Sequence, residues 1–264
     1  MSIESEAGLV RAVEDNEVAF LLALGRAGGG VGREDAGIHW TIGGSPIAYH
    51  NCVVRSDLPA GRADTVIEEF MALLREKGVP GSWHVGPSMR PADLAERLLA
   101  HGFDGGPEPG MAIQLDTLSV IEPVAGLHIN RVVSDEDMDA YAGVLSSGFG
   151  EGPKEANWLR EMYRRIGLGE DVPWRHYVAR VDGVPAATAS LFFAANVAGL
   201  YFVCTAPDFR RRGFGEAITH AALVDARALG FRTAVLGSSP MGHALYERMG
   251  FRDVCDIGVY EWSP

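Results

Sequence analysis

Two segments of this chain follow one order of elements, and that repetition constrains the fold more than any other feature. "REKGVPGSWHVGPSMRPADLAERLLAHGF" (Arg75 to Phe103) and "RALGFRTAVLGSSPMGHALYERMGF" (Arg227 to Phe251) run alike. Each passes from a helix end with glycine through a short strand, a Gly-Pro or Gly-Ser pair and a second helix to Gly-Phe. Self-similarity on this scale marks one supersecondary unit used again. Strands alternating with amphipathic helices imply layered α/β architecture. The expected fold is therefore α/β (α+β): two like units, each a mixed central sheet flanked by helices. The expected boundaries are residues 1–118 for the first unit, 119–125 for a connecting segment and 126–264 for the second.

The first copy opens with a helical pattern over about residues 6–26, stopped by the glycine run "AGGGVG". "IHWTIGGSPIAYHNCVV" predicts two strands turning at Gly43-Gly44. A helix over "ADTVIEEFMALLREKG" puts Val66, Phe70 and Leu73 or Leu74 on one face, with Gly78 as its stop. A strand "GSWHVG", a helix beginning at Pro91 and a strand "MAIQLD" follow. The second copy starts with the strand "GLHINRVV". Ser134 then caps a helix with an acidic first turn, and another helix covers about residues 155–166. Asp182-Gly183 predicts a hairpin within "WRHYVARVDGVPAATASLFFA", and "AGLYFVCTAP" is the next strand.

A length of 264 residues, 47% of them hydrophobic, provides core for one large domain or two of ordinary size. The apolar residues occur in short runs, so no membrane span is expected, and the early acids of "MSIESEAGLVRAVEDNEVAF" do not fit a signal peptide. Cys52, Cys204 and Cys255 are odd in number and far apart. They fit neither a disulfide framework nor a zinc pattern, and point to a reducing cytoplasm. A net charge of −12 argues against nucleic-acid and anionic-membrane partners, and makes a local basic cluster more telling.

Such a cluster stands in "TAPDFRRRGFGEAI", where Arg210, Arg211 and Arg212 precede Gly213, Phe214, Gly215 and Glu216 between a strand and a helix. Glycines let the backbone approach a ligand, and the unpaired N–H groups and dipole of a helix start favour an anion. Guanidinium groups add permanently charged donors. The arrangement suits a pyrophosphate. It has neither the Gly-Lys-Ser/Thr of a Walker loop nor the third glycine of the dinucleotide fingerprint. The first copy, reading "RSDLPAGRADTVIEEF" at the matching place, has no Arg-x-x-Gly-x-Gly.

Together with "SPMGHALYERMGF" downstream, this loop makes residues of about 125–264 resemble the GNAT acetyltransferase superfamily. "TAPDFRRRGFG" is similar to that family's coenzyme A loop, and the second stretch to its motif of a tyrosine before Gly-Phe. The repeat then makes the first copy a degenerate GNAT-like half of a tandem arrangement. The resemblance implies acetyl-CoA as co-substrate and no metal. It places the amides of Arg211 to Glu216 around the pyrophosphate, and Val203, Cys204 and Thr205 beside the pantetheine arm. It makes Tyr246 the general acid for the departing thiolate, a role that a phenol of pKa about 10 can fill because it remains protonated at neutral pH.

The chain also departs from the family pattern. Ser239 stands where many members carry an asparagine, and the strand "GLYFVCT" lacks the glutamate that many use as a base or water anchor. Glu151, His176, His243 or a water relay are the alternatives for the base, and Cys204 is expected to be packing rather than a nucleophile. The expected activity is transfer of an acetyl group from acetyl-CoA to an amine of a small molecule, directly, in a ternary complex. Rival readings are another acyl donor, decarboxylation of an acyl-CoA, or a non-catalytic CoA-binding regulator. The acids from Asp135 to Asp139 could attract a cationic amine, although helix-start stabilisation explains them equally. A homodimer is compatible with this reading.

Overall fold

The computed structural model describes residues 5–35, 37–149 and 152–264. The chain divides into two compact units: Met1–Gly110 with Val254–Pro264, and Met111–Asp253.

The first unit contains α1 (Glu6–Ala27), β1 (Val31–Glu34), β2 (Ile38–Ile42), β3 (Asn51–Ser56), α2 (Ala60–Lys77), β4 (Gly81–Val85) and α3 (Leu94–Ala100). Most of β5 (Asp104–Gln114) and of β11 (Arg252–Trp262) completes it, in the strand order β1-β2-β3-β4-β11-β5. The Ser5 hydroxyl accepts the Gly8 N–H at 3.1 Å and starts α1. Gly78, at φ +65°, ends α2 in the left-handed conformation that glycine adopts without strain. Parallel β3 and β4 are joined through α2, as parallel neighbours require, and Ile67, Phe70 and Leu74 of that helix share a core with Val53 and Trp83. β2 and β3 are antiparallel as expected, but Ile42 pairs with Asn51, so the connection is longer than a turn at Gly43-Gly44. The Asn51 side chain fixes that connection by donating to the Ser45 carbonyl at 2.8 Å. β1, which was not expected, pairs antiparallel with β2. The glycine run before it makes room for backbone: a Cβ on Gly30 would lie 2.1 Å from the Ile42 carbonyl oxygen.

The second unit contains β6 (Leu127–Arg131), α4 (Asp135–Gly148), α5 (Gly152–Ile166), β7 (Trp174–Val181), β8 (Val184–Ala194), β9 (Val197–Thr205), α6 (Phe214–Ala228), β10 (Thr233–Gly237) and α7 (His243–Arg248). With Met111–Gln114 of β5 the strand order is β5-β10-β9-β8-β7-β6. Asp182 and Gly183, both at positive φ, make the expected β7–β8 turn, and Ala195-Asn196 repeats that geometry between β8 and β9. Parallel β9 and β10 enclose α6, whose Ile218, Ala222 and Leu223 pack on Ala198, Leu200, Leu236 and Tyr246.

The compact units do not follow the linear boundaries at 118 and 126. β11 registers Gly258–Trp262 against Val85–Gly81 of β4, and Tyr260 enters the first unit's core. In the second unit, the Leu115 N–H donates to the Arg232 carbonyl at 2.7 Å. Strand pairing is long-range, so no neighbouring residue pattern announces which sheet a strand completes.

Candidate active site

β9 is paired along one edge and opens along the other. Against β10 it registers only at Ala198–Ala234 and Gly199–Val235. Against β8 the register passes from Ser190–Tyr201 to Thr188–Cys204, three steps on β9 against two on β8. Phe202, at φ +50°, sits in this bulge, and its carbonyl accepts the Thr188 hydroxyl at 3.0 Å. A bulge re-aims a strand. Beyond it, Val203 packs toward the core beneath α6, whereas the Cys204 sulfur lies 3.8 Å from the Val144 carbonyl oxygen of α4. Thr205 returns to the α6 side, where a Cβ on Gly215 would stand 3.4 Å from its hydroxyl.

The strand leads through Pro207–Phe209 into α6, which begins at Gly213 with no side-chain cap. Its first intrahelical bond is Ala217 N–H to the Gly213 carbonyl, at 3.0 Å. The amides before Ala217 have no intrahelical acceptor and face the helix N-terminus, a ready anion site. Gly213 (φ +81°) and Arg211 (φ +59°) both occupy the left-handed region, which for an arginine costs about 1–2 kcal/mol. The three arginines do different things. Arg210 donates to the carbonyls of Thr205 (3.2 Å) and Gly148 (2.9 Å), bracing the loop against the ends of β9 and α4. The Arg212 guanidinium lies over the Phe214 and Phe209 rings, at 4.8 and 5.6 Å. Arg211 is exposed, and Glu216 is half-buried in the first turn of α6.

Tyr246, on α7, stands in the same core cluster as Val203 and Ile218, 8% exposed and edge-on to Phe251 at 5.7 Å. Burial pushes its phenol pKa up, so the proton is held across the neutral range. Ser239 is exposed, and its hydroxyl accepts the Gly242 N–H at 3.3 Å in the turn before α7.

The face of β9 turned toward α4 meets a buried polar cluster. The Tyr141 and Ser190 hydroxyls are 2.6 Å apart, and His176 Nδ1 lies 2.8 Å from Ser190. The Tyr163 ring is 4.0 Å from the His176 ring. Burial, reinforced by Arg131 and Arg175, lowers the His176 pKa to about 3, so this histidine is too weak a base at neutral pH. His243 is instead paired with Asp253 at 2.9 Å, on the α7 side. Glu151 lies outside the described residues. Glu155, on α5, is 4% exposed and belongs to this cluster: its charge adds to the burial that raises the Tyr141, Tyr163 and Cys204 pKa values. Glu155, Tyr141, Tyr163 and Ser190 were not singled out from the sequence. One signal was there, a carboxylate sharing a stripe with Leu159 and Tyr163 at i, i+4 and i+8. Among the described residues, no group of three or more His, Cys, Asp and Glu side chains could hold a metal, and no helix is long and apolar enough to cross a membrane.

Comparison with known proteins agrees with this fold. Residues 141–251 match the model of the acetyltransferase (GNAT) family. A GCN5-related N-acetyltransferase from Kribbella flavida superposes with a TM-score of 0.70 at 18% identity, over 94% of this chain and 95% of its own. A functionally unknown conserved protein from Staphylococcus epidermidis gives 0.69 at 16% identity, over 89% and 94%. A tandem GNAT protein from the clavulanic acid biosynthesis pathway gives 0.57 at 16% identity, over 86% and 78%. No curated protein matches the chain. Residues 141–251, with the uncapped α6 and the open-edged β9 at their centre, belong to the GNAT acetyltransferase family, in a chain with the fold of GNAT proteins throughout.

Proposed function

We propose that the second unit moves an acetyl group from acetyl-CoA to an amine of a small molecule, directly, in a ternary complex. One observation carries the reading: the open edge of β9 runs straight into an uncapped helix N-terminus. An extended pantetheine arm beside Val203, Cys204 and Thr205 adds to that edge as a strand would. The pyrophosphate then reaches the amides of Arg211 to Glu216, held in place by the Arg210 brace. A backbone N–H of Val203–Thr205 polarises the thioester carbonyl, and Tyr246 protonates the departing sulfur. Holding both reactants in place supplies much of the acceleration. The test is CoA release from acetyl-CoA with a library of amines, beside an acetyl-CoA binding titration. Amine-dependent release is expected. Binding with no release by any amine would overturn the reading in favour of a CoA-sensing protein.

The first unit closes its matching edge with its own chain. β3 and β4 register only at Cys52–Ser82 and Val53–Trp83. Beyond that point Arg90 donates its N–H to the Ser56 carbonyl (3.0 Å), and its carbonyl accepts the Leu58 N–H (3.2 Å). The Glu14 carboxylate secures the same loop by accepting the Ser88 N–H at 3.0 Å and the Ser88 hydroxyl at 2.8 Å. In the second unit, among the described residues, no backbone bond links 238–242 to β9. A single CoA per chain is therefore expected by calorimetry, and two equivalent sites would defeat this account of the first unit.

Cys204 is no nucleophile on this reading. Burial pushes its thiol pKa up to about 11, so the reactive thiolate is scarce at neutral pH. Cys204→Ala should keep steady-state turnover within a few-fold, whereas a covalent acyl-cysteine route requires its loss.

A further inference from the structure

Between β5 and β6 the chain runs along the length of α6, in the opposite direction. Three points fix this strap. The Arg227 side chain donates to the Leu115 carbonyl at 3.3 Å, and the His220 ring donates from Nε2 to the Ser119 carbonyl at 2.9 Å. At the far end a Cβ on Gly213 would meet Val124 Cγ2 at 3.7 Å. Arg227, His220 and Gly213 follow one another at intervals of about 10 Å of helix, so the strap tracks the axis from one end to the other. Leu118 is buried in the core of the second unit, and Val124 packs against the same core. The Leu127 N–H then donates to the Val124 carbonyl at 3.1 Å, and Gly126, at φ +74°, turns the chain into β6.

The strap thus ends beside the uncapped amides of α6, and on a defined side of them. Gly213 and Gly215, two residues apart at the helix start, face roughly opposite ways. A Cβ on Gly215 would lie 3.4 Å from the Thr205 hydroxyl of β9 and 3.6 Å from the Leu245 side chain of α7. Gly213 turns from these, and among the described residues its Cβ would meet Val124 alone. A CoA whose pantetheine arm lies along β9, with its pyrophosphate on those amides, leads its adenosine away from β9. That is the side on which the strap ends. The strap is apolar there: Val120, 92% exposed, Ile121, Pro123 and Val124 are interrupted only by Glu122. A contiguous apolar run in water marks a binding surface, and small-molecule sites are lined mainly by such side chains.

Resting on the acetyltransfer reading, we propose that Val120–Val124 of the strap is the adenosine subsite of the CoA site. The adenine lies against the apolar surface of Pro123 and Val124, while β9 and the α6 loop hold the rest of the molecule. No bond is made or broken at the strap, and its contribution is affinity. It therefore distinguishes CoA from 4′-phosphopantetheine, which has the same arm and ends at its phosphate.

Val124→Asn tests the subsite without adding a charge beside the phosphates. Affinity for CoA should fall by about tenfold, the loss expected when a polar side chain replaces an apolar contact. Affinity for 4′-phosphopantetheine, titrated on the same protein, should stay within a few-fold of wild type. In the wild-type protein, CoA should also slow amide hydrogen exchange at Ile121, Glu122 and Val124, and 4′-phosphopantetheine should not. Equal losses for the two ligands would show that Val124 acts only through the α6 loop. Unchanged CoA affinity, or exchange slowed alike by both ligands, would show that the adenosine lies elsewhere. Each of these results overturns the subsite and leaves the acetyltransfer reading standing. A wild-type protein that binds neither ligand would overturn that reading, and the subsite with it. Should Val124→Asn not fold, Val124→Ala removes only two methyl groups. It should lower CoA affinity by about threefold with no change for 4′-phosphopantetheine, and the same results would overturn the subsite.

Discussion

Tyr246→Phe should slow acyl transfer by about 10²–10⁴-fold, the range of general acid–base catalysis, while acetyl-CoA affinity stays within a few-fold. The substitution removes one oxygen and little else. The ring keeps its contact with Phe251, and Gly242, where a Cβ would fall 2.8 Å from the Tyr246 ring, still leaves it room. Because burial raises the phenol pKa, the wild-type enzyme should show no alkaline loss attributable to this group in the neutral range. The check is single-turnover transfer to a working amine, which isolates the chemical step from product release. Near-normal transfer would reduce Tyr246 to core packing. Joint loss of binding and folding would reduce it to the same role.

Gly213→Val should weaken CoA binding by about 10–100-fold, the loss expected when one hydrogen bond to a charged group disappears. The residue holds φ +81° at the start of α6, a conformation that a β-branched side chain tolerates poorly. Relief of that strain rotates the backbone to negative φ and turns the first amides of α6 away from their common focus. The strain alone should cost about 1–2 kcal/mol of stability, so affinity must be judged against a control. Gly230, at φ +94° beyond the end of α6, provides one, since a Cβ there meets nothing within 4 Å. Gly230→Ala should lower the melting temperature yet leave CoA affinity unchanged. A folded Gly213→Val protein with wild-type affinity would show that the anion is held elsewhere.

Features written in local chemistry were legible in the sequence. Asp182-Gly183 forms its turn because both residues accept positive φ, and Gly78 ends α2 for the same reason. The α6 loop could be placed because strand, glycines and apolar helix face are consecutive. Features that depend on distant partners were not. "DGGPEPG" reads as turn material, yet Asp104–Gly110 forms strand in β5, where tertiary pairing outweighs propensity. The basic run suggested charged donors to one anion, whereas Arg210 is bound to two carbonyls and Arg212 lies over two rings. Glu155 was not singled out, because its burial beside groups of α4 and β9 is fixed by folding alone.

The exchange of β11 has a consequence for how the protein is made. Val254–Pro264 belong to the unit that begins at the other end of the sequence, between β4 and β5. On the ribosome the first unit therefore waits with an unfilled slot in its sheet while all of Met111–Asp253 is synthesised. An unfilled slot exposes backbone N–H and C=O groups that can recruit a strand from another chain. Closure by its own β11 fills that slot and pairs the exposed edge within one chain.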